Sequence, residues 1–357
     1  MEAEMANVEI APHFIMPEVL REYAAAILRE SGVPPDDARL VAHSLVEAER
    51  WGHTSHGVLR LSWYVARISA GVVRAVTEPE TVIDGGAIAV IDGHDGMGQV
   101  ITTLAMTDAV RRAKAHGVGV VGVRNSNHFG TAAYYTRMAA AQACIGFLST
   151  NASPSMAPWG GRKKAIGANP WSFAAPAGRF GTVVMDIANG HVARGKIYVA
   201  QQRGTSIPEG WAIDADGRAT TDPAAALAGV LLPMAAHKGY AISFVMDMLS
   251  GVLTGSSFGA SVVGPQKADQ RSGAGHLAMA FDISRFMPPT EFEERMEQLI
   301  GEMKSVPLAE GFDEILVPGE IEMRSAERAD RLGVEVPDKT REELTAVAEA
   351  LSVPSPF

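Results

Sequence analysis

From about Thr77 to residue 286, short Gly-, Val- and Ile-rich runs ("AIAVID", "GVGVVGV", "IGFLST", "GTVVMDI") alternate with helical stretches ("VITTLAMTDAVRRAKAHG", "TAAYYTRMAAAQA"). Alternation of this kind restricts the middle of the chain to an α/β unit built on a central sheet. The flanks read differently. "PEVLREYAAAILRESG" places Val19, Leu20, Tyr23, Ile27 and Leu28 on one helical stripe, and "PPDDARLVAHSLVEAERWG" does the same with Leu40, Val41, Leu45 and Val46. Prolines and aspartates at the head of the second segment suit a helix start, where acids meet the positive end of the dipole. A third helix is expected over "GVLRLSWYVARISAG", and "FMPPTEFEERMEQLIGEMKS" is again helical and charged. The expected organisation is an N-terminal helical part (1–75), an α/β domain with the substrate cleft (76–287) and a C-terminal segment (288–357) that returns to the helical domain.

Composition narrows the function classes. The 357 residues are 47% hydrophobic and 20% charged, as in globular proteins rather than disordered ones. A net charge of -10 argues against a nucleic-acid surface, which needs clustered Lys and Arg. Cys144 is the only cysteine, so no internal disulfide can form, which fits a reducing cytoplasm. The acidic start "MEAEMANVEIAPH" lacks the apolar core of a signal peptide. "YAISFVMDMLSGVLTG" carries Asp247, is too short to span a bilayer and reads as a buried helix. No membrane partner is expected.

Four stretches carry chemistry-bearing residues. Gly117, Gly119 and Gly122 satisfy G-x-G-x-x-G, but they alternate with valines inside a strand-like run instead of forming a turn that opens a helix. They read as strand glycines that admit close packing. "RNSNHFGTAAYY" reads as strand, polar turn and helix, with Ser126 and Asn127 as caps and His128 at the mouth; it is either an ordinary capped turn or an anion site at a helix start. "WGHTSHGVLRL" places Ser55 and His56 at the expected start of the third helix and Arg60 one turn on. A histidine there can exchange a proton with a carbonyl or hydroxyl oxygen, and an arginine offers a planar fork to a carboxylate. The competing readings are a capping network, or a zinc-dependent lyase or hydrolase site built on His53 and His56, for which no third ligand is spaced. "MAAHKGYAISF" sets His237 and Lys238 before an apolar helix, suited to cofactor phosphates or ribose, or simply a solvated turn. No G-x-S-x-G elbow occurs.

The ordered motifs "SHGVLRL", "NSNHFGTAAYY", "GANPWSFAAP", "VVMDIANGHVARGKI", "PEGWAIDADGRATTDP", "HKGYAISFVMDMLSGVLTG" and "VPGEIE" resemble the malate/L-lactate dehydrogenase family across nearly the whole chain. The resemblance implies a family-specific, non-Rossmann NAD(P)-binding fold with a mixed central sheet, a homodimer, and NAD or NADP as cofactor. It implies hydride transfer between nicotinamide and a small 2-hydroxy/2-oxo carboxylic acid. The near alternative is reduction of cyclic ketimines such as piperideine- or pyrroline-2-carboxylate. By motif position, His56 corresponds to the family's proton donor, Ser55 to the residue orienting it, Arg60 to the carboxylate clamp and His128 to a further catalytic histidine. Phe129, Gly130, Thr131 and Ala132 would line the cofactor, as would Asp186, Ile187, Ala188, His237, Lys238, Pro318, Gly319 and Glu320. No metal is implied. Three positions depart from the family pattern. Ala168 replaces the threonine of "GTNP", Asn189-Gly190 replaces the usual Thr or Ser after "DIA", and Lys196 stands where imine reductases place an aspartate. The first and third favour a 2-hydroxy/2-oxo acid over an imine.

Overall fold

In the computed structural model, which describes residues 14–192 and 194–357, α1 (Pro17–Glu30) and α2 (Pro35–Arg50) pack as an antiparallel pair. Each opens with proline at its first position, where the missing N–H has no helical partner to lose. Leu20, Ile27 and Leu28 meet Val41, Leu45 and Val46 in one fully buried layer. Each such side chain contributes about 1.5–3 kcal/mol. Val19, placed by its spacing on the inner stripe, is instead 48% exposed. After α2 the chain makes two tight 3₁₀ turns, Thr54–His56 and Val58–Arg60, before α3 (Leu61–Ser69). The third helix therefore starts at Leu61, not near Gly57. Phe14–Ile15 (β1) pairs antiparallel with Val334–Glu335.

The middle of the chain lays down β2 (Glu80–Asp84), β3 (Ile88–Asp92), α4 (Gly98–His116), β4 (Val118–Ser126), α5 (Ala133–Ala140), β5 (Cys144–Thr150), β6 (Trp171–Pro176) and β7 (Thr182–Ile187). A small antiparallel sheet follows, formed by β8 (Ala212–Ile213), β9 (Ala219–Thr220) and β10 (Val230–Leu231) and flanked by α6 (Arg194–Arg203) and α7 (Pro223–Ala228). Next comes α8 (His237–Asp247), extended by a π-helical turn over Met248–Val252. The chain then returns to the first sheet as β11 (Ala274–Asp282), which inserts between β4 and β5 antiparallel to both. The strand order is β2-β3-β4-β11-β5-β6-β7, with β3–β4 the parallel pair. A doubly wound parallel sheet is thereby excluded.

Strand glycines let helices approach this sheet. A Cβ at Gly119 would fall 1.9 Å from the Ala109 carbonyl oxygen of α4, so Gly119 serves backbone packing. Gly117 ends α4 with a φ of +91°. α4 and α5 cover one face through Ile101, Met106, Tyr135 and Ala139; Met246 packs on Phe147 and Leu277 on the other. The apolar stretch through Asp247 is not the buried helix expected of it, since Phe244, Val245, Met248, Val252 and Leu253 are all exposed. α9 (Pro289–Lys304) packs on the turn at Gly178–Phe180. α10 (Glu320–Leu332), the strand Val334–Glu335 (β12) and α11 (Asp338–Ala350) rejoin the N-terminal helices, with Ala329, Val336, Leu344 and Ala348 in the same core as Leu20. Among the described residues no helix is long and apolar enough to cross a membrane.

Candidate active site

The two 3₁₀ turns after α2 are held from below by Glu49. Its Oε1 accepts the Val58 N–H at 2.8 Å and lies 2.0 Å from where a Gly57 Cβ would stand, so only glycine fits there. Burial pushes the Glu49 carboxyl up to about 8, opposed by the Val58 bond. On the other side of the turn, Ser55 Oγ lies 2.8 Å from His56 Nδ1. Arg60 Nε donates to the Ser55 carbonyl oxygen at 2.7 Å, and its guanidinium lies 4.2 Å from the Trp63 ring centre. His56 and Arg60 converge through Ser55 rather than through a shared helical face. Arg60 Nη1 is buried without a hydrogen-bond partner, an unusual state for a guanidinium.

His128 comes from the loop after β4. Its ring stacks beside that of His56, with centroids 5.5 Å apart and planes inclined by 21°. Tyr64 of α3 reaches His128 Nδ1 at 2.7 Å, and Gln99 at the start of α4 donates to the Tyr64 oxygen at 3.0 Å. Burial, the Arg60 charge and His53 hold His56 down to about 4. Burial, followed by the charges of Arg60 and His56, holds His128 well below the usual imidazole value. Both rings are therefore neutral at physiological pH in the free protein. One half-buried, incompletely bonded cation faces two neutral imidazoles, an arrangement that can bind a carboxylate and exchange a proton beside it.

The remaining predicted residues divide into two groups. Phe129 is core, its ring packed on Tyr135 and His276 and its carbonyl accepting the Tyr135 O–H. Gly130 turns the chain at φ +85°, and Thr131 and Ala132 lead into α5. Ser126 and Asn127 do not cap α5. Its first N–H groups are met from β7, where Asp186 Oδ2 accepts the Ala133 N–H at 2.7 Å. Burial raises the Asp186 pKa. That carboxylate takes the place an anion would occupy at the helix start. Ile187 and Ala188 follow it, with Ala188 exposed. The Pro318 carbonyl accepts the Val184 N–H at 3.1 Å, Gly319 abuts β7, and Glu320 is bound by Lys304 and Arg324.

His237 and Lys238 are exposed at the start of α8, and among the described residues neither meets a carboxylate. The exposed Trp159 ring lies 6.2 Å from that of His237. Ala235 and Ala236 just before them adopt φ values of +48° and +58°, which strain any residue but glycine and tend to cluster at ligand sites. An unpaired cation, an exposed aromatic face and a strained turn fit a phosphate-bearing aromatic cofactor. The zinc reading finds no such support. His53 Nε2 faces Glu322 at 3.8 Å while His56 bonds Ser55, and no metal-holding group of three ligands exists among the described residues. Of the departures from the family pattern, Lys196 is exposed on α6 and Asn189 is buried, its amide oxygen accepting the Trp171 indole N–H at 3.0 Å.

Sequence reasoning missed Glu49, Tyr64, Gln99 and His276. Tyr64 alone had a local signal, lying four residues after Arg60. Gln99 and His276 act through contacts between distant segments, and Glu49 through a turn eight residues further on.

Residues 15–345 match the malate/L-lactate dehydrogenase family. The L-sulfolactate dehydrogenase of Methanocaldococcus jannaschii is 40% identical over 311 residues, 87% of this chain and 90% of that protein. A solved structure of sulfolactate dehydrogenase from the same organism superposes with a TM-score of 0.91 at 38% identity, covering 95% of this chain and 98% of that one. The (2R)-3-sulfolactate dehydrogenase (NADP+) of Chromohalobacter salexigens is 35% identical, covering 91% of this chain and 95% of that protein. A ureidoglycolate dehydrogenase (NAD+) of Escherichia coli is 33% identical, covering 90% and 92%.

Proposed function

We infer, from the premise that this chain belongs to the malate/L-lactate dehydrogenase family, that the cleft holding His56, Arg60 and His128 is its catalytic centre. The protein is an NAD(P)-dependent oxidoreductase that interconverts a small 2-hydroxy acid and its 2-oxo acid. When bound, the nicotinamide supplies or accepts the hydride. Everything else falls to the chain's own residues. His237 and Lys238 would hold the cofactor phosphates or ribose.

One observation carries the assignment of the centre: a buried Arg60 Nη1 with no partner, beside two neutral imidazoles. The substrate carboxylate completes the guanidinium's hydrogen bonds and fixes which face of C2 is presented. In the oxidative direction, neutral His56 accepts the hydroxyl proton, with Ser55 orienting its ring. In the reductive direction, the incoming carboxylate offsets the Arg60 charge, the next cause after burial of the depressed His56 pKa, and so raises the proton affinity of the ring. The protonated ring then passes its proton to the carbonyl oxygen.

We also propose that the exposed apolar face of Phe244, Val245, Met248, Val252 and Leu253 is covered by a second copy in a homodimer. A free, buried Cys144 and the absence of an internal disulfide support a cytoplasmic setting. The test of function is a panel of 2-oxo acids and cyclic ketimines, each offered with NADH and with NADPH. Turnover of a 2-oxo acid is expected. Turnover of cyclic imines alone would replace the substrate class.

A further inference from the structure

We propose that Glu49 is a positioning residue that works with its carboxyl protonated: uncharged, it props the turn carrying Ser55, His56 and Arg60, and loss of its proton releases that turn. The proposal rests on the assignment of His56 and Arg60 as the working pair, and it adds an alkaline limit set outside the cleft.

The carboxyl of Glu49 fills the space where any other residue at position 57 would place its side chain. A Cβ on Gly57 would fall 2.0 Å from Glu49 Oε1, 2.3 Å from its Cδ and 2.8 Å from its Cγ. The acid is thus wedged beneath the residue that joins the two 3₁₀ turns, Thr54–His56 and Val58–Arg60. Its hydrogen bond is to the Val58 N–H at 2.8 Å, and among the described residues it meets no cation. A carboxylate enclosed without a countercharge is costly, so the packing itself favours the neutral acid.

The charged groups around it are engaged elsewhere. On α2, Glu47 is held by Arg50 and faces Arg137 of α5 at 3.7 Å, while Arg50 also holds Asp330 of α10. His53 faces Glu322 of α10, and His56 and Arg60 are both tied to Ser55. None of these perturbs Glu49, whose pKa burial raises to about 8 against the Val58 bond alone. Once ionised, the carboxylate is relieved by turning toward water, which strands the Val58 N–H. Arg60 Nε donates to the Ser55 carbonyl, and Ser55 Oγ meets His56 Nδ1. Loosening the chain at Gly57 therefore displaces the proton carrier and the carboxylate clamp together. Burial holds His56 and His128 low and Tyr64 high, so none of these three cleft groups titrates near pH 8 in the free protein.

The test compares full-length wild type with Glu49→Gln, which keeps an acceptor for Val58 and cannot ionise. Hydrogen–deuterium exchange over residues 54–60, corrected for the intrinsic pH dependence of amide exchange, reads the turn with no substrate added. Protection in wild type is expected to fall as pH rises through about 8, and in Glu49→Gln to stay level. The single-turnover rate with reduced nicotinamide pre-bound should follow the same two courses, with affinity for the 2-oxo acid falling alongside it in wild type. Glu49→Ala removes the wedge and should lower the rate at every pH, on the order of 10²-fold. Wild-type protection that passes this range unchanged overturns the proposal, even where a variant fails to fold. An alkaline loss that persists in Glu49→Gln belongs to another group and overturns it too, as does a wild-type rate in Glu49→Ala. Protection that follows Glu49 in a protein inactive on every 2-oxo acid would uphold the proton-dependent turn and sink only the functional reading.

Discussion

His128 is half-buried and His276 fully buried; the two imidazoles come from neighbouring strand ends and are linked through Phe129, whose ring packs edge-on against His276. They differ in what their nitrogens meet. His276 has both occupied: Nδ1 lies 2.8 Å from Thr150 Oγ1 and Nε2 2.8 Å from Ser126 Oγ. The Thr150 hydroxyl donates to the Asn151 and Gly275 carbonyls, so it accepts from the ring, and Ser126 donates to Nε2. His276 is a completed joint between β11, β4 and β5. His128 has one side completed and one side open, next to an arginine that is also incompletely bonded. Both rings have a pKa lowered chiefly by desolvation. What separates a working residue from a framework one here is hydrogen-bonding capacity left unused in a cleft.

That distinction can be broken by experiment. The largest expected effect is on stability. His276→Ala removes a fully enclosed ring and strands two hydroxyls, lowering unfolding free energy by about 3–5 kcal/mol, as read from urea denaturation. The folded fraction should keep its hydride-transfer rate within a few-fold. Intact stability with lost chemistry would move His276 into the site. The native pKa of His276 is held near 3 by burial, below the unfolded value of 6.5. Its contribution is thus fully present above about pH 6.5 and lost as pH falls toward 3, a limb the variant should lack.

Arg60→Ala comes next. It should reduce kcat/KM on the order of 10²-fold, mostly through KM for the 2-oxo acid, with little change in thermal midpoint. Arg60→Lys should rescue little, because an ammonium lacks the bidentate fork. Rescue by lysine would mean that charge alone, not the planar fork, holds the substrate.

A pH-dependent effect concerns Glu49 beneath the His56 turn. Its native pKa of about 8 exceeds the ordinary 4.5. The neutral carboxyl stabilises the fold fully below about pH 4.5, and that stabilisation is lost as pH rises to 8. The slope is at most about 1.4 kcal/mol per pH unit. Glu49→Gln keeps the acceptor for Val58 and should flatten this slope. A pH profile identical to wild type would show that Glu49 is ionised in the native state.

Much of the architecture was readable because it depends on local periodicity. The α1 and α2 stripes, the strand runs at β3, β4, β5 and β7, and the packing role of Gly119 all follow from near-neighbour patterns. The central strand β11 was not readable. "AGHLAMAFD" alternates Ala with larger residues and lacks β-branched side chains, and only its two flanking strands make it a strand. The site shows the same division. Ser55, His56, Arg60 and His128 stood out by residue type and motif. Gln99 did not, because its partner Tyr64 lies 35 positions away and nothing local marks it. The 3₁₀ turns were missed because Glu49, eight residues before Gly57, shapes them.

The most direct test is the single-turnover rate of hydride transfer in His56→Ala, with reduced nicotinamide pre-bound and the best 2-oxo acid saturating. If His56 exchanges the proton, the rate should fall roughly 10²- to 10⁴-fold while nicotinamide affinity is unchanged. A variant retaining more than about a tenth of the wild-type rate would contradict that assignment.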